Sequence, residues 1–291
     1  PGGGTSAAAP GICGVMAQLH HAYKEMNGGN VASSSLLKAT LLNTANELGN
    51  DGPDFIYGWG KVNAYKAAKL LEDNRYFSAT IAQGDSNIHN ISIPTGVQRA
   101  KIMVYWTDLE ASTSASYALV NDLDATVIDP LSVVHYPWLL DHTPDPVSLA
   151  APAIKGEDHL NNVEQIAIDN PQQGTYSLKV KGNVIPFGAR DYWVVYEFLY
   201  DDITVIFPMG GEGLIPGNQD RIHWDAFDDS GSFLIEYSEN NGGSWTSINT
   251  VSGDSRFISW NVPTNVTGQG LIRVSRGSAS DISDANFSIM E

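Results

Sequence analysis

Gly4-Thr5-Ser6-Ala7-Ala8-Ala9-Pro10-Gly11-Ile12-Cys13-Gly14 begins a run of small and apolar residues that continues to Leu19. Apolar character on every side of the helical period predicts a buried helix rather than a surface one. Gly4 lets the backbone turn sharply ahead of it, and Pro10 is expected in the first turn, where a missing N–H costs little. The run therefore places a serine at a helix start. Two roles suit Ser6 there. It can act as a helix N-cap, or as a nucleophile beside unpaired N–H groups and a positive dipole end suited to a developing oxyanion.

Outward from this run, residues 1–75 read as helical. Ser33 to Ser35 are N-cap candidates for a second helix through Leu37, Leu41, Ala45 and Leu48, stopping at Gly49. Gly58-Trp59-Gly60 is a turn leading to a third helix through Val62, Tyr65 and Ala68. From Tyr76 the period changes to alternation. Lys101–Trp106, Ala125–Ile128, Gln165–Asp169, Tyr176–Val180 and Trp193–Phe198 are expected strands of an antiparallel sandwich over residues 76–200. Near Asp201-Asp202 a further boundary begins residues 201–291, with strands at Thr204–Phe207, Arg221–Trp224, Phe233–Tyr237, Trp245–Asn249, Ile258–Val262 and Leu271–Val274. Their spacing suits an immunoglobulin-like or fibronectin-like sandwich. The fold class is thus mainly β with an N-terminal helical segment, in three parts.

With 42% apolar residues, 28 Gly and 14 Pro among 291 residues, the chain can bury real cores and is loop-rich. Sixteen basic against 33 acidic residues leave a net charge of −17, which disfavours nucleic acid and anionic lipid as partners. No apolar run reaches bilayer length. The single cysteine, Cys13, excludes an intramolecular disulfide. The opening Pro1-Gly2-Gly3-Gly4 carries no signal peptide and reads as cut from something longer.

The string at Gly4–Gly14 resembles the serine motif of the subtilase family, G-T-S-M-A-A-P-H-V-A-G. Leu41-Leu42-Asn43-Thr44-Ala45 and Tyr57-Gly58-Trp59-Gly60-Lys61-Val62-Asn63-Ala64 resemble, in family order, the end of such a catalytic domain. The resemblance implies that residues 1–75 are the C-terminal tail of a subtilisin-type α/β catalytic domain. It implies a serine endopeptidase acting through an acyl-enzyme on Ser6, with Gly4 and Thr5 in the substrate and oxyanion segment. Ala7 stands where many members have methionine, which removes an oxidisable sulfur, and Gly11-Ile12 replaces His-Val. In the family the aspartate motif, the histidine motif and the oxyanion asparagine precede the serine, and only five residues precede Ser6 here. His20 and His21, on the same helix, lie about 20 Å from it at about 1.5 Å per residue. These 291 residues are accordingly expected to be inactive alone. They would need a protein or peptide substrate and the N-terminal part of their own catalytic domain as partners, in a secreted or cell-surface protein of bacterial type. The alternative is a non-catalytic secreted binding or spacer protein whose sandwiches are the functional units.

Trp106-Thr107-Asp108, Leu119 to Asp124 and Asn161-Asn162-Val163-Glu164 resemble the C-terminal jelly-roll domain of certain alkaline subtilases, related to the P domain of proprotein convertases; that domain can hold calcium. Asp122 and Asp124, one residue apart, share a face of a strand and are candidate ligands for a structural calcium ion, or an Asx-rich turn capping its own backbone. Residues 208–212, 222–224 and 237–245 resemble immunoglobulin-like repeats of large secreted bacterial enzymes. Asn241-Gly242 marks a hairpin, and Trp224, Trp245 and Trp260 are core residues or, alternatively, carbohydrate platforms.

Overall fold

The computed structural model describes residues 3–290. They fall into two compact units, one ending at Phe198 and one starting at Leu199.

The first unit begins with three helices, α1 (Thr5–Met26), α2 (Ser34–Asn43) and α3 (Ala64–Glu72). Ser33 caps α2 by accepting from the Ser35 N–H at 3.3 Å, and Asn63 caps α3 by accepting from the Lys66 N–H at 2.9 Å. Contrary to the sequence reading, α2 ends well before Gly49. Thr44 returns both its N–H (3.1 Å) and its hydroxyl (2.8 Å) to the Thr40 carbonyl. Asn46 then exchanges two backbone hydrogen bonds with Lys61, each 2.8 Å, which draws the chain out of the helix.

The strands are β1 (Tyr76–Ile81), β2 (Ser86–Ile93), β3 (Val97–Tyr105), β4 (Asp122–Ile128), β5 (Val134–His135), β6 (Trp138–Leu139), β7 (Ile154–Lys155), β8 (Val163–Asp169), β9 (Gly174–Val184) and β10 (Arg190–Tyr200), with the one-turn helix α4 (Pro146–Ala150) before β7. They form sheets ordered β1-β10-β3-β8 and β2-β9-β4-β5, with β6 and β7 a separate ribbon. Leaving the ribbon aside, this is the strand order of an eight-stranded jelly roll.

β3 departs from simple alternation because both its faces are buried. Met103 and Tyr105 join Leu36, Leu37, Leu70, Leu71 and Val195 in a core beneath the helices, while Ile102 and Val104 are buried on the other face. Lys101 of β3 and Glu197 of β10 form an ion pair in this layer, with side chains only 12% and 6% exposed. Lys101 also donates to the Ala45 carbonyl at 3.2 Å, and Gln165 of β8 donates to Asn43 of α2 at 3.0 Å.

The second unit holds β11 (Ile203–Phe207), β12 (Gly213–Leu214), β13 (Gln219–Ala226), β14 (Ser232–Ser238), β15 (Thr246–Ser252), β16 (Phe257–Asn261), β17 (Thr267–Arg276), β18 (Ala279–Ile282) and β19 (Phe287–Ile289). A sheet β11-β13-β16 and a sheet β12-β19-β17-β14-β15, with β18 on β17, enclose one core. This is an immunoglobulin-like sandwich. Trp224 and Trp260 lie in that core, edge-on to Phe233 and Phe287 respectively. Trp245 does not; it is half-buried under the Arg273 guanidinium, 4.2 Å from its ring centre. The expected hairpin joins β14 to β15, with Asn241 (φ 54°) and Gly242 (φ 83°) at its tip.

Two outcomes follow from these contacts. Lys101→Met should leave Glu197 as an uncompensated buried charge and lower the unfolding free energy by about 3–5 kcal/mol, with most of it recovered in Lys101→Met/Glu197→Leu. Urea unfolding of both variants checks this, and a double variant as weak as the single one would refute it. In the Gly58-Trp59-Gly60 turn both glycines have positive φ, but only at Gly60 would a Cβ collide with backbone, 2.2 Å from the Asn46 oxygen. Gly58→Ala should therefore cost about 1 kcal/mol and Gly60→Ala clearly more, read as the two melting temperatures.

Candidate functional site

Ser6 occupies the first turn of α1, directly after Gly4, whose φ of 84° sets the entry angle. The Gly4 carbonyl accepts from Ala7 and Ala8 at 3.0 and 3.2 Å, and no side chain caps the helix. The N-cap role for Ser6 is therefore not used: the N-cap position is Gly4. Pro10 lies in the second turn rather than the first. Because proline has no N–H, the Ser6 carbonyl lacks its usual i+4 donor.

The expectation of a buried helix is corrected by the structure. Residues 5–14 are exposed, and Leu19 is the one buried residue among those of α1. Only the second half of α1 packs, through Val15, Met16, Leu19 and Tyr23, with the Tyr23 ring 6.0 Å from Tyr76 and Tyr76 in turn 6.2 Å from Trp193. The first half extends past the helices and sheet that cover the second, so its small residues meet solvent.

No histidine or carboxylate among the described residues is hydrogen-bonded to Ser6. His21 is paired along its own helix with Glu25 at 3.2 Å, both side chains being about 70% exposed. The sequence contains a D-S-G string, Asp229-Ser230-Gly231, but it forms the β13–β14 turn, with Asp229 held by Arg256 at 2.7 Å.

A second cluster lies in the jelly roll. The motif strings of this part order the loop between β3 and β4. The buried Trp106 indole N–H donates to the Asn121 carbonyl at 2.9 Å, and Asn162 donates to the Trp106 carbonyl at 2.6 Å. Asp108 accepts from the Val120 and Asn121 N–H groups at 2.6 and 3.0 Å. The chain is thereby delivered into β4 with Leu123, Ala125 and Val127 on the core face and Asp122 and Asp124 on the other. The two aspartates lie near one another.

They are joined by His159, which no local sequence spacing marks. Its Nδ1 lies 2.9 Å from Asp122 Oδ2 and 3.3 Å from Asp124 Oδ1. One ligand atom from each of the three falls within 4.8 Å of the others, a group able to hold a metal ion. Behind it, Glu164 of β8 is 1% exposed and accepts from the Ala125 N–H. Burial pushes its carboxyl well above the usual range, and Asp124, Asp158 and Asp122 add to the rise. Asp124 is raised by burial and then by Asp122, with His159 and Lys181 acting in the opposite direction. Asp122 and His159 are 37 residues apart, a pairing no local spacing signals.

Residues 1–60 match the subtilase family. In family order the matched segment is similar to the C-terminal part of a subtilase domain. Over 179 residues, covering 56% of the chain, the sequence is 27% identical to the serine protease/ABC transporter B family protein tagA of Dictyostelium discoideum. The chain spans 10% of the length of that relative. Among solved structures, Bacillus licheniformis lipase BlEst2 in its propeptide form is 9% identical and overlaps with a TM-score of 0.26, over 69% of this chain and 36% of the lipase. The adhesin domain of Epf from Streptococcus pyogenes is 10% identical with a TM-score of 0.27, over 74% of this chain and 78% of the adhesin. Overlaps at these scores do not amount to a shared fold. No described helix is long and apolar enough to cross a membrane.

An exposed helix half with no packed partner gains little beyond its own propensity, and isolated helical turns are marginal in water. Backbone amides of residues 5–14 should exchange with deuterium faster than those of Val15–Tyr23. Equal protection along α1 would contradict the exposed placement.

Proposed function

We propose that the protein to which these residues belong is a subtilisin-type serine endopeptidase in which Ser6 is the acylated nucleophile. The observation that carries this reading is the subtilase match over residues 1–60, with Ser6 falling in the first turn of α1 behind Gly4. Ser6 Oγ attacks the scissile carbonyl carbon while a histidine takes its proton. The C–N bond then breaks, the same proton passes to the leaving amine, and water hydrolyses the resulting ester. The Ser6 N–H, in the helix first turn with Gly4 and Thr5 beside it, supplies one donor to the oxyanion. In this reading the histidine base, its orienting aspartate and the side-chain oxyanion donor come from residues beyond these 291, and the substrate is protein or peptide.

The division at residues 75 and 200 into catalytic tail, jelly roll and immunoglobulin-like module, and a secreted or cell-surface location of bacterial type, belong to the same proposal. So does a structural divalent cation at Asp122, Asp124 and His159, the class of ligand to which the expected calcium belongs.

The test is a fluorophosphonate probe, which labels an activated serine. The 291 residues alone should remain unlabelled. A serine hydroxyl is a weak nucleophile without its base, and loss of one oxyanion donor alone costs about 100- to 1000-fold, a magnitude measured in subtilisin itself. Adding the upstream catalytic part should give labelling that Ser6→Ala abolishes. Strong labelling of the isolated chain, or labelling that survives Ser6→Ala in the completed protein, would defeat the assignment.

A further inference from the structure

Resting on the reading of Asp122, Asp124 and His159 as a cation site, the donor set and its spacing say which cation. Calcium takes about six to eight oxygen ligands and has little use for an imidazole, whereas zinc-class ions take nitrogen and oxygen in sets of about four. We propose that this site selects a divalent transition ion of the zinc class over calcium, with His159 Nδ1 and one oxygen each of Asp122 and Asp124 as protein ligands and solvent completing the shell.

The spacing supports it. Ligands about 2.0 Å from a tetrahedral zinc stand about 3.3 Å from one another. His159 Nδ1 stands 3.3 Å from Asp124 Oδ1 and 2.9 Å from Asp122 Oδ2. The two edges from His159 are thus close to those of such a tetrahedron, and the third, between Asp122 and Asp124, lies within 4.8 Å.

Buried carboxyl oxygens in and behind the cluster lack a hydrogen-bond partner. Glu164, 1% exposed, leaves Oε1 without a hydrogen-bond partner while Oε2 is anchored beside Asp124 on the Ala125 N–H. Asp122, 7% exposed, likewise leaves Oδ1 unpartnered. Buried carboxylate oxygens without donors are costly unless a cation compensates them. The compensation present is partial: Lys181 Nζ stands 3.6 Å from Asp124 Oδ2, and Asn183 donates to Asp122 Oδ2 at 2.9 Å. Lys181 and His159 are both nearly half-exposed, so the side chains that would make way for an ion, or turn toward it, are free to do so.

The experiment is calorimetric titration of the full 291-residue chain with zinc and, separately, calcium. A Cys13→Ser/His21→Ala background removes the exposed thiol and the exposed His21–Glu25 pair of α1 as competing sites. Zinc is expected to bind one per chain at least tenfold more tightly than calcium. His159→Ala should weaken zinc at least tenfold and leave calcium unchanged, and Asp124→Asn should weaken both. Cobalt(II) should give the intense visible bands of a four-coordinate ion, lost in His159→Ala. Calcium binding as tightly as zinc, indifferent to His159→Ala, would overturn the selectivity and leave the cation site standing. Binding of neither ion would remove both.

Discussion

The structure of the first unit depends on β3 being covered on both faces. A strand in an antiparallel sandwich ordinarily shows one face to the core and one to solvent. Here Ile102 and Val104 serve the sandwich while Met103 and Tyr105 serve the helices, so one strand belongs to two cores. Lys101 and Glu197 sit at the polar edge of that second core, tied to the end of α2 through the Ala45 carbonyl. The jelly roll thereby acts as the floor on which the three N-terminal helices rest, and the helices supply a lid that a free-standing sandwich would lack.

The same constraint explains what the sequence disclosed. Strand positions in both sandwiches were legible because alternation and turn residues are local properties, as were the Ser33 and Asn63 caps. β1 and β2 were not singled out individually, since Ser78, Thr80, Ser86 and Asn90 give them edge-like polarity that blurs the period. The end of α2 was misplaced because Ala45 and Leu48 keep helical spacing, whereas the bond that stops the helix comes from Lys61, far along the chain. The exposure of the first half of α1 has a related reason. Apolar composition records what a helix tolerates against it and does not say whether the covering surface lies among the same residues.

The acidic cluster shows the limit from another side. Asp122 and Asp124 were legible from a one-residue spacing on a strand. His159 and Glu164 were not, because they reach the pair from the turn before β8 and from β8 itself. Their contribution is electrostatic and collective: burial and the neighbouring Asp122 raise the proton affinity of Asp124, and Glu164 rises furthest because it is the most deeply buried. An imidazole at the mouth of such a group is the residue that converts repulsion among acids into a donor set with a geometric preference.

Ser6 poses the converse problem, a chemically suggestive residue in an environment that does nothing for it. The positive end of a helix dipole is worth little when water surrounds it, because solvent screens partial charges that a low-dielectric site would leave strong. Pro10 leaves the Ser6 carbonyl without a helical donor, and exposure lets water satisfy it. The first half of α1 therefore offers helix N-terminal N–H groups in water rather than in a low-dielectric site. Catalytic competence of Ser6 in the proposed protease is thus a property of whatever surface covers residues 5–14. The covering must exclude water from the first turn as well as bring a histidine to the hydroxyl, since a base delivered to a solvated helix end would meet only a hydroxyl already hydrogen-bonded to solvent.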